Sequence, residues 1–452
     1  MDVAELIEGR KPGRLQTSII VWLCLLMVLE GYDMQVLAFA APSIMKEWNA
    51  SRASFGPVLS SNLVGYMIGA ITLSLAGDRL GRKKLIVAGT ALFGVFTFAA
   101  AFATSIPEMF ALRLLAGIGL GGAIPAGIAL AAEYTPARIR ATAIGLMFVG
   151  YTLGAAAGGF LGAWTIAAFG WPSVFFVGGL AALPLCLILA FALPESIRFL
   201  ALKPGKSGNV AAIAARLRPD VDLSNVTRFV ASEETQRSSP LQLFSHGRGA
   251  LTSLLWLAFI TSFMGHYFLT GWLPTIFADA GLTISQASFA SAFFQTGGAL
   301  GSLLVAVLLD RLGMKVVAVT FLLAAPFVAS LGILSVSGLA LIPFVFMAGL
   351  FVLGGQIGLN AIAGTVYPTF IRTTGAGWAL GIGRIGSISG PIVGGYLITA
   401  GFSRPVLFVL TALPLLCCAI AMTVLTLQTT RGNGRAAGGS AAPMGKTREF
   451  VH

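Results

Sequence analysis

A basic string of residues occurs twice in this chain, and the spacing between the copies constrains the fold more than any other feature. The first copy is GDRLGRKK at 77–84, and a degenerate copy, DRLGMK, follows at 310–315, 232 positions later. The same offset pairs identical residues at eight further positions: Pro42 with Pro274, Pro136 with Pro368, Arg140 with Arg372, Thr142 with Thr374, Gly145 with Gly377, Gly154 with Gly386, Gly158 with Gly390 and Gly162 with Gly394. The chain therefore contains two copies of one structural unit.

The composition is that of a membrane protein. Hydrophobic residues make up 56% of the chain, charged residues only 10%, and the mean hydropathy is +0.88. Twelve apolar segments, six within 1–193 and six within 251–427, are long enough to cross a hydrocarbon layer of about 30 Å. Such spans must satisfy their own backbone hydrogen bonds, which favours helices. We therefore predict an all-α integral membrane fold of 12 transmembrane helices in two pseudo-symmetric six-helix halves, an arrangement typical of transporters.

The distribution of positive charge predicts the orientation. If the N-terminus is cytoplasmic, 24 of the 29 Lys and Arg residues lie on the cytoplasmic side, as the positive-inside rule requires. Both termini are then cytoplasmic, as are the polar linker at 194–250 and the tail at 428–452, whose Gly, Ala and Arg content predicts disorder. The net charge of +12 reflects this orientation and contact with anionic lipid. No basic soluble module of the kind that binds nucleic acid is evident.

The sequence contains no pattern typical of an enzyme or a metal protein. Cys24, Cys186, Cys417 and Cys418 all fall inside apolar segments and lack metal-ligand spacing, so packing is their favoured role. No nucleophile with a neighbouring base and no cofactor motif lies within the spans. We expect neither a cofactor nor a bound metal.

Five ionisable residues fall inside the apolar segments, where a charge costs several kcal/mol and therefore indicates function. They are Glu30, Asp33, Arg113, His266 and Arg384. Glu30 and Asp33 are three residues apart and share a helix face, and carboxylates that close together favour binding of a proton. Asp33 and Arg113 lie at similar depth, so they can form an ion pair. That pair is either a permanent salt bridge between two helices or one that a proton opens.

Arg384 lies near the middle of its span, and the matching residue of the other repeat is the uncharged Thr152. A guanidinium group at this depth suits bidentate binding of a carboxylate substrate, although hydrogen bonds to carbonyls of a neighbouring helix are an alternative. His266 is interpreted either as a polar liner of the bundle or as a proton carrier. Further polar or aromatic candidates for the site are Tyr32, Tyr151, Tyr267, Gln295, Gln356, Asn360 and Trp378.

Two segments resemble signatures of the major facilitator superfamily. Residues 77–84 resemble its loop between helices 2 and 3, and residues 113–119, RLLAGIG, resemble its helix 4 motif. Residues 30–33, EGYD, together with 367–386, are similar to the aromatic acid:proton symporters within that superfamily. The first of these motifs usually reads Asp-Gly-x-Asp there, so Glu30 differs from the family pattern by one methylene group.

The resemblance implies a proton-coupled importer that works as a monomer. Its substrate would be a small aromatic carboxylic acid of the hydroxybenzoate or hydroxyphenylpropionate type, carried through the bacterial inner membrane by alternating access for aromatic hydrocarbon catabolism. The resemblance assigns Glu30 and Asp33 to coupling and substrate binding, and Arg384 to the substrate. It also implies a gate at the cytoplasmic helix ends, whose members are Asp78, Arg79, Arg82, Glu133, Asp310 and Arg311. A purely structural role of this loop, as turn and orientation signal, is the alternative.

Other functions remain compatible with these motifs. An exporter of drugs or catabolites shares all of them, and it would accumulate its substrate in everted vesicles rather than in cells. A sugar or other organic-anion porter is a second alternative, because residues 194–198, PESIR, resemble the corresponding stretch of sugar porters. A membrane-anchored sensor or scaffold, which would signal through the linker or the tail, is a third.

Overall fold

The computed structural model describes residues 3–8, 12–203, 207–218, 240–245, 247–334, 338–368 and 371–438. Within these ranges the chain forms helices and connecting turns, and no strand. The long helices of the first half are α1 (Arg14–Glu47), α2 (Arg52–Leu80), α3 (Arg82–Ala100), α4 (Ile106–Tyr134), α5 (Ala137–Phe169) and α6 (Pro172–Ala192). Those of the second half are α7 (Gly249–Asp279), α8 (Ile284–Leu312), α9 (Lys315–Ile333), α10 (Gly338–Ala363), α11 (Arg372–Thr399) and α12 (Arg404–Gly438).

The predicted all-α membrane fold is confirmed. In the described part of the chain, eleven helices are long and apolar enough to cross a membrane. The long helix that does not meet this description is α11, which is rich in Gly, Ser and Thr and carries two arginines. The twelfth span therefore stays a prediction, although α11 packs inside the same bundle, against α7 and α2.

The segments outside the bundle are short. Short helices span Val3–Ile7, Ile197–Ala201 and Ser207–Leu217, and a 3-10 turn spans Pro240–Leu243. The first three pack together under the first half. Helix α12 extends to Gly438, past the predicted start of the tail at residue 428, and the tail beyond it lies outside the described residues.

The sequence repeat is visible in the turns and in the packing. Gly81 and Gly313, which are related by the repeat offset, have φ values of 101° and 73° at the turns before α3 and α9. Such values suit glycine because it has no Cβ atom. A Cβ added at Gly65 would lie 2.0 Å from the carbonyl oxygen of Leu114, and one added at its repeat partner Gly297 would lie 2.0 Å from that of Phe346. Small residues thus let α2 approach α4, and α8 approach α10, in the same way.

Consecutive helices run in opposite directions, so α1 begins and α12 ends at the same end of the bundle. We call this end the terminal face and the opposite end the distal face. The two halves meet mainly through α2 with α11 and α5 with α8. At the distal face, Arg52 forms a 2.6 Å ion pair with Asp279, and the Ala53 amide donates to Thr399 Oγ1 at 2.9 Å. Deeper in, the Ser60 hydroxyl donates to the Ile388 carbonyl at 2.8 Å.

Three glycines near the terminal-face ends of α5 and α11 face open space. A Cβ added at Gly145, Gly377 or Gly381 would meet no atom within 4 Å. On α5 and α8, by contrast, Phe160 packs edge-on against Phe289 and Phe293 nearer the distal face. These contacts join the two halves from the middle of the bundle to the distal face.

Candidate functional site

Asp33 and Arg113 form a buried ion pair between α1 and α4. The guanidinium group donates from Nη2 to Oδ2 at 2.6 Å and from Nη1 to Oδ1 at 2.7 Å, a bidentate geometry. Asn62 Nδ2 donates to Oδ2 and Thr97 Oγ1 donates to Oδ1, each at 2.9 Å. The two charged side chains are 0% and 1% exposed, respectively. Each carboxylate oxygen of Asp33 therefore accepts two hydrogen bonds, which is the arrangement that stabilises an ionised carboxylate.

Glu30 lies one helical turn closer to the terminal face and has a different environment. It is 5% exposed, and its Oε2 atom has no hydrogen-bond partner among the described residues. The carboxylate interacts electrostatically with Arg384, and more weakly with Asp33. The two carboxylates share a helix face as their spacing predicts, yet only Asp33 is saturated with donors. Glu30 is therefore the acidic group of this pair that has capacity for another partner.

Arg384 brings the two halves together near the middle of the bundle. Its guanidinium carbon lies 4.5 Å from the centroid of the Tyr66 ring, which is within cation–π distance. It also interacts with Glu30 and with the phenol groups of Tyr267 and Tyr151. We call these five residues the central cluster. They come from α11, α2, α1, α7 and α5, so three helices of the first half and two of the second contribute.

Glycines hold α11 close to α7 on either side of Arg384. A Cβ added at Gly386 would lie 1.9 Å from the carbonyl oxygen of Ile260, and one added at Gly383 would lie 3.1 Å from Phe263. These glycines therefore allow α11 to pack closely against α7, rather than leaving space for a ligand beside Arg384. The close approach places Arg384 beside Tyr267, which lies on α7.

A small cavity borders both the Asp33–Arg113 pair and the central cluster on the side toward the distal face. Its polar lining comes from Asn62, Arg113, Tyr267 and Thr270, and its apolar lining includes Leu63. Asn62 Oδ1, Arg113 Nε and Thr270 Oγ1 have no hydrogen-bond partner among the described residues. A cavity lined by several such atoms is polar enough to be hydrated. Tyr267 borders both the cavity and the cluster, so the two charged sites are neighbours.

The remaining candidates lie at different distances from the cluster. The ring of His266, which is 7% exposed, lies 4.7 Å from Tyr267 and 6.3 Å from Phe294, beside the cluster and toward α8. The Tyr32 hydroxyl donates to the Val174 carbonyl at 2.8 Å, so this side chain joins α1 to α6. His266 is thus adjacent to the cluster, whereas Tyr32 is held by backbone outside it.

Three candidates from α10 and α11 are not joined to the cluster by the contacts of the described residues. The side-chain amide atoms of Gln356, together with Asn360 Oδ1, are buried without a partner in the described part. They lie about two and one helical turns, respectively, from the terminal-face end of α10. Trp378 is 42% exposed and stacks on Trp256 at 6.0 Å. Trp378 therefore lies on the outside of the bundle, away from Arg384.

A second polar network lies at the terminal face of the first half. Arg82 Nε is 3.5 Å from Glu133 Oε1, and the Ser196 hydroxyl donates to Glu133 Oε2. Glu195 Oε1 accepts hydrogen bonds from the amides of Lys83, at 3.0 Å, and of Ser196, at 2.9 Å. The network thus ties the start of α3 and the end of α4 to the chain that follows α6.

The other residues proposed for this gate are placed differently. The side chains of Asp78 and Arg79 lie outside the described residues. Asp310 and Arg311, their repeat partners, are exposed and form no ion pair within the described part of the chain. The described network therefore belongs to one half only.

Residues 23–283 and 255–451 match the sequence profile of the Major Facilitator Superfamily. The chain belongs to the major facilitator superfamily. This transporter is 41% identical over 425 residues to the gallate transporter of Pseudomonas putida, a match that covers 93% of this chain and 94% of that one. It is 37% identical to the 4-hydroxybenzoate transporter PcaK of Pseudomonas aeruginosa, covering 89% and 91%. It is 33% identical to the 3-(3-hydroxy-phenyl)propionate transporter of Escherichia coli, covering 91% and 94%.

Solved structures confirm the fold of the transporter. A bacterial homologue of the human lysosomal transporter Spinster, in an inward-facing and occupied conformation, superposes with a TM-score of 0.71 at 18% identity, covering 92% of this chain and 98% of that one. The xylose transporter XylE of E. coli, in an inward open conformation, gives 0.70 at 18% identity, covering 90% and 95%. Both likenesses concern the fold alone.

Sequence reasoning missed several residues of the transporter's two networks. Asn62 and Tyr66, which contact Asp33 and Arg384, are four residues apart and therefore share one face of α2. The four-residue spacing of an Asn and a Tyr within an apolar segment was a signal that could have found them. Glu195 was noticed only as part of a sequence resemblance, because nothing local indicates that its carboxylate reaches the start of α3.

Proposed function

We propose that this transporter imports a small hydroxylated aromatic carboxylic acid together with protons. The observation that carries the proposal is the position of Arg384, a cation near the middle of the bundle surrounded by the rings of Tyr66, Tyr151 and Tyr267. A guanidinium group binds a carboxylate in a bidentate manner, and aromatic side chains pack favourably on an aromatic ring. The names of the relatives support the same substrate class, since they include gallate and 4-hydroxybenzoate transporters.

Glu30 supplies a means of coupling in this proposal. Its carboxylate interacts with Arg384, so an arriving substrate carboxylate competes with Glu30 for the same cation. Two anions beside one buried cation leave an uncompensated negative charge, which binding of a proton to Glu30 removes. Substrate and proton would therefore bind together, with at least one proton for each carboxylate.

The Asp33–Arg113 pair anchors this arrangement in the described conformation. Because both charges are buried and joined by two hydrogen bonds, opening the pair requires a new partner for each. We propose that the opposite conformation of the transport cycle supplies those partners, and that the cavity beside Tyr267 gives protons a path toward Asp33. His266, adjacent to the cluster, is the second candidate for carrying a proton.

Alternating access follows from the asymmetry between the two faces. The Arg52–Asp279 pair and its neighbours close the distal face, and we propose that the network of Arg82 and Glu133 helps to close the terminal face in the opposite conformation. The excess of Lys and Arg residues supports a cytoplasmic terminal face and both termini in the cytoplasm of a bacterial cell. In this orientation the described conformation releases substrate inward.

The test is an uptake assay with purified protein in liposomes under an imposed pH gradient, acid outside. Radiolabelled gallate, 4-hydroxybenzoate, 3-hydroxyphenylpropionate and xylose are offered in parallel. We expect accumulation of at least one aromatic acid and not of xylose, and we expect a protonophore to abolish it. Accumulation of xylose alone would contradict the substrate class. Accumulation of an aromatic acid that survives the protonophore would contradict the coupling and leave the substrate class standing.

A further inference from the structure

A groove runs along the surface of the first half where α3 and α6 reach the terminal face. Its basic lining is Lys83, Lys84 and Lys203. The first two begin α3, and the third follows the short helix Ile197–Ala201, with its ammonium group 4.3 Å from the centroid of the Phe199 ring. Three cations from two separate stretches of the chain thus meet at one end of this feature, which we call the α3–α6 groove.

The other end of the α3–α6 groove is apolar and faces the bilayer. Val87, Ala88 and Ala190 line it, about one helical turn deeper than the lysines by helix rise. The neighbouring α6 side chains Leu187 and Phe191 are 64% and 88% exposed, as expected of a surface covered by hydrocarbon. The groove therefore combines cations at the level of the lipid headgroups with an apolar wall at the level of the acyl chains.

The second half offers an internal comparison. A groove of the second half shares four repeat-related positions with it, namely Leu312, Lys315, Val316 and Val319, which correspond to Leu80, Lys83, Lys84 and Val87. Its other wall comes from α8 and α10 rather than from α12, the helix equivalent to α6. It carries one lysine, and its wall is otherwise almost entirely hydrophobic. These repeat-related positions thus carry two lysines in the first half and one in the second. Lys84 corresponds to the uncharged Val316, so a cation at this position is not a requirement of the fold.

We propose that the α3–α6 groove binds an anionic phospholipid of the membrane leaflet at the terminal face. The three ammonium groups of the lysines hold the phosphate, and Val87, Ala88 and Ala190 contact an acyl chain. Basic pockets between helices on the cytoplasmic side of membrane proteins bind anionic headgroups in this manner.

One carboxylate also lines the groove and must be accounted for. Glu195 Oε1 accepts hydrogen bonds from the amides of Lys83 and Ser196, so this charge is directed to the start of α3. Three cations and one anion leave a net positive groove, which favours an anionic over a zwitterionic lipid. Because Glu195 joins the network of Glu133 and Arg82 through Ser196, the bound lipid would also stabilise the start of α3 next to the proposed gate.

The experiment is native mass spectrometry of the purified transporter titrated with phosphatidylglycerol or with phosphatidylcholine of the same acyl chains. We expect phosphatidylglycerol to bind more tightly. The triple variant K83A/K84A/K203A should lose about 100-fold in affinity, and K84A alone about fivefold, since each basic residue near a membrane surface contributes a factor of roughly five. The triple Lys→Arg variant should keep binding because it keeps the charge.

The repeat supplies the matched control. Lys315→Ala removes the equivalent lysine of the second half and should leave phosphatidylglycerol affinity within twofold of wild type. Equal affinity of wild type and K84A, or an equal loss in Lys315→Ala, would overturn the proposal. Competition by glycerol 3-phosphate as strong as by the lipid would show a soluble phosphate site and would also overturn it. The measurement does not involve transport, so its outcome is independent of the proposed substrate and coupling.

Discussion

The two carboxylates of α1 should respond in opposite ways to loss of charge, although they are three residues apart. Asp33→Asn removes the counter-ion of Arg113 and replaces an acceptor of two hydrogen bonds with an amide NH₂ group that cannot accept any. Breaking one partner of a buried ion pair costs about 3–5 kcal/mol, because the other charge stays buried and uncompensated. Asn62 and Thr97, which donate to the same carboxylate, add to that loss. We therefore expect Asp33→Asn to destabilise the transporter strongly.

Glu30→Gln is the matched control on the same helix. Glu30 interacts with Arg384, but its Oε2 atom has no hydrogen-bond partner among the described residues, whereas both oxygens of Asp33 accept hydrogen bonds. We therefore expect Glu30→Gln to lose less stability than Asp33→Asn, because it removes a charge interaction without breaking a bidentate pair. Its transport, however, should change: exchange of labelled for unlabelled substrate should persist, while accumulation driven by a pH gradient should disappear, because Gln cannot bind and release a proton.

The assay is thermal unfolding in detergent, followed by intrinsic tryptophan fluorescence, together with uptake and exchange in liposomes. A double variant, Asp33→Asn with Arg113→Gln, should recover part of the stability lost in Asp33→Asn, since it removes the uncompensated cation. Equal melting temperatures for Asp33→Asn and Glu30→Gln would refute the assignment of Asp33 as the anchored carboxylate. Undiminished accumulation by Glu30→Gln would place the coupling proton elsewhere, with His266 the next residue to test.

Three further predictions follow from contacts at other levels of the bundle. Gly65→Ala should lower the melting temperature markedly, because its Cβ would lie 2.0 Å from a carbonyl oxygen. Gly145→Ala, whose Cβ meets open space, should leave the melting temperature unchanged or raise it slightly. Equal melting temperatures of the two variants would contradict this prediction. Arg52→Ala should change the free energy of unfolding by less than about 1 kcal/mol, because its pair with Asp279 is roughly 40% exposed. The same variant should increase the labelling of a cysteine placed in the central cluster by a reagent added at the distal face. Unchanged labelling would show that the Arg52–Asp279 pair does not help to close the distal face. Glu133→Gln should shift the balance between the two conformations of the transport cycle, which is measured as altered cysteine accessibility from the two faces. The substrate affinity of molecules in the binding-competent conformation should stay unchanged. Loss of substrate binding without a change in accessibility would place Glu133 in the substrate site.

The repeat offset predicted the architecture because packing contacts depend on positions that recur. Gly65 and Gly297 make the same close approach to a facing helix in both halves, so the second contact follows from the first. The depth of each residue in the bundle could also be predicted from the sequence, because the rise per residue of a helix is constant. That was sufficient to suggest the pairing of Asp33 with Arg113, which the structure forms.

The rotation of each helix about its own axis, and the partners of its side chains, could not be predicted from the sequence in the same way. Spacing alone treats Glu30 and Asp33 as one pair, whereas their environments differ because only Asp33 faces the donors of α2, α3 and α4. Trp378 precedes Arg384 on the same helix, yet it lies on an outer face and stacks on Trp256. Which face of α11 turns inward depends on contacts with α7 and α2, and those depend on residues far away in the chain.

The central claim is that Arg384 binds the carboxylate of an aromatic acid, and equilibrium binding of radiolabelled 4-hydroxybenzoate or gallate to the purified protein tests it most directly. Arg384→Lys keeps the charge but loses the planar fork, so affinity should fall by about 10- to 150-fold, the equivalent of 1.5–3 kcal/mol for a hydrogen bond to a charged group. Arg384→Ala should abolish measurable binding, while Trp378→Ala, which changes an exposed residue outside the cluster, should bind as wild type. Wild-type affinity in a correctly folded Arg384→Ala protein would contradict the account.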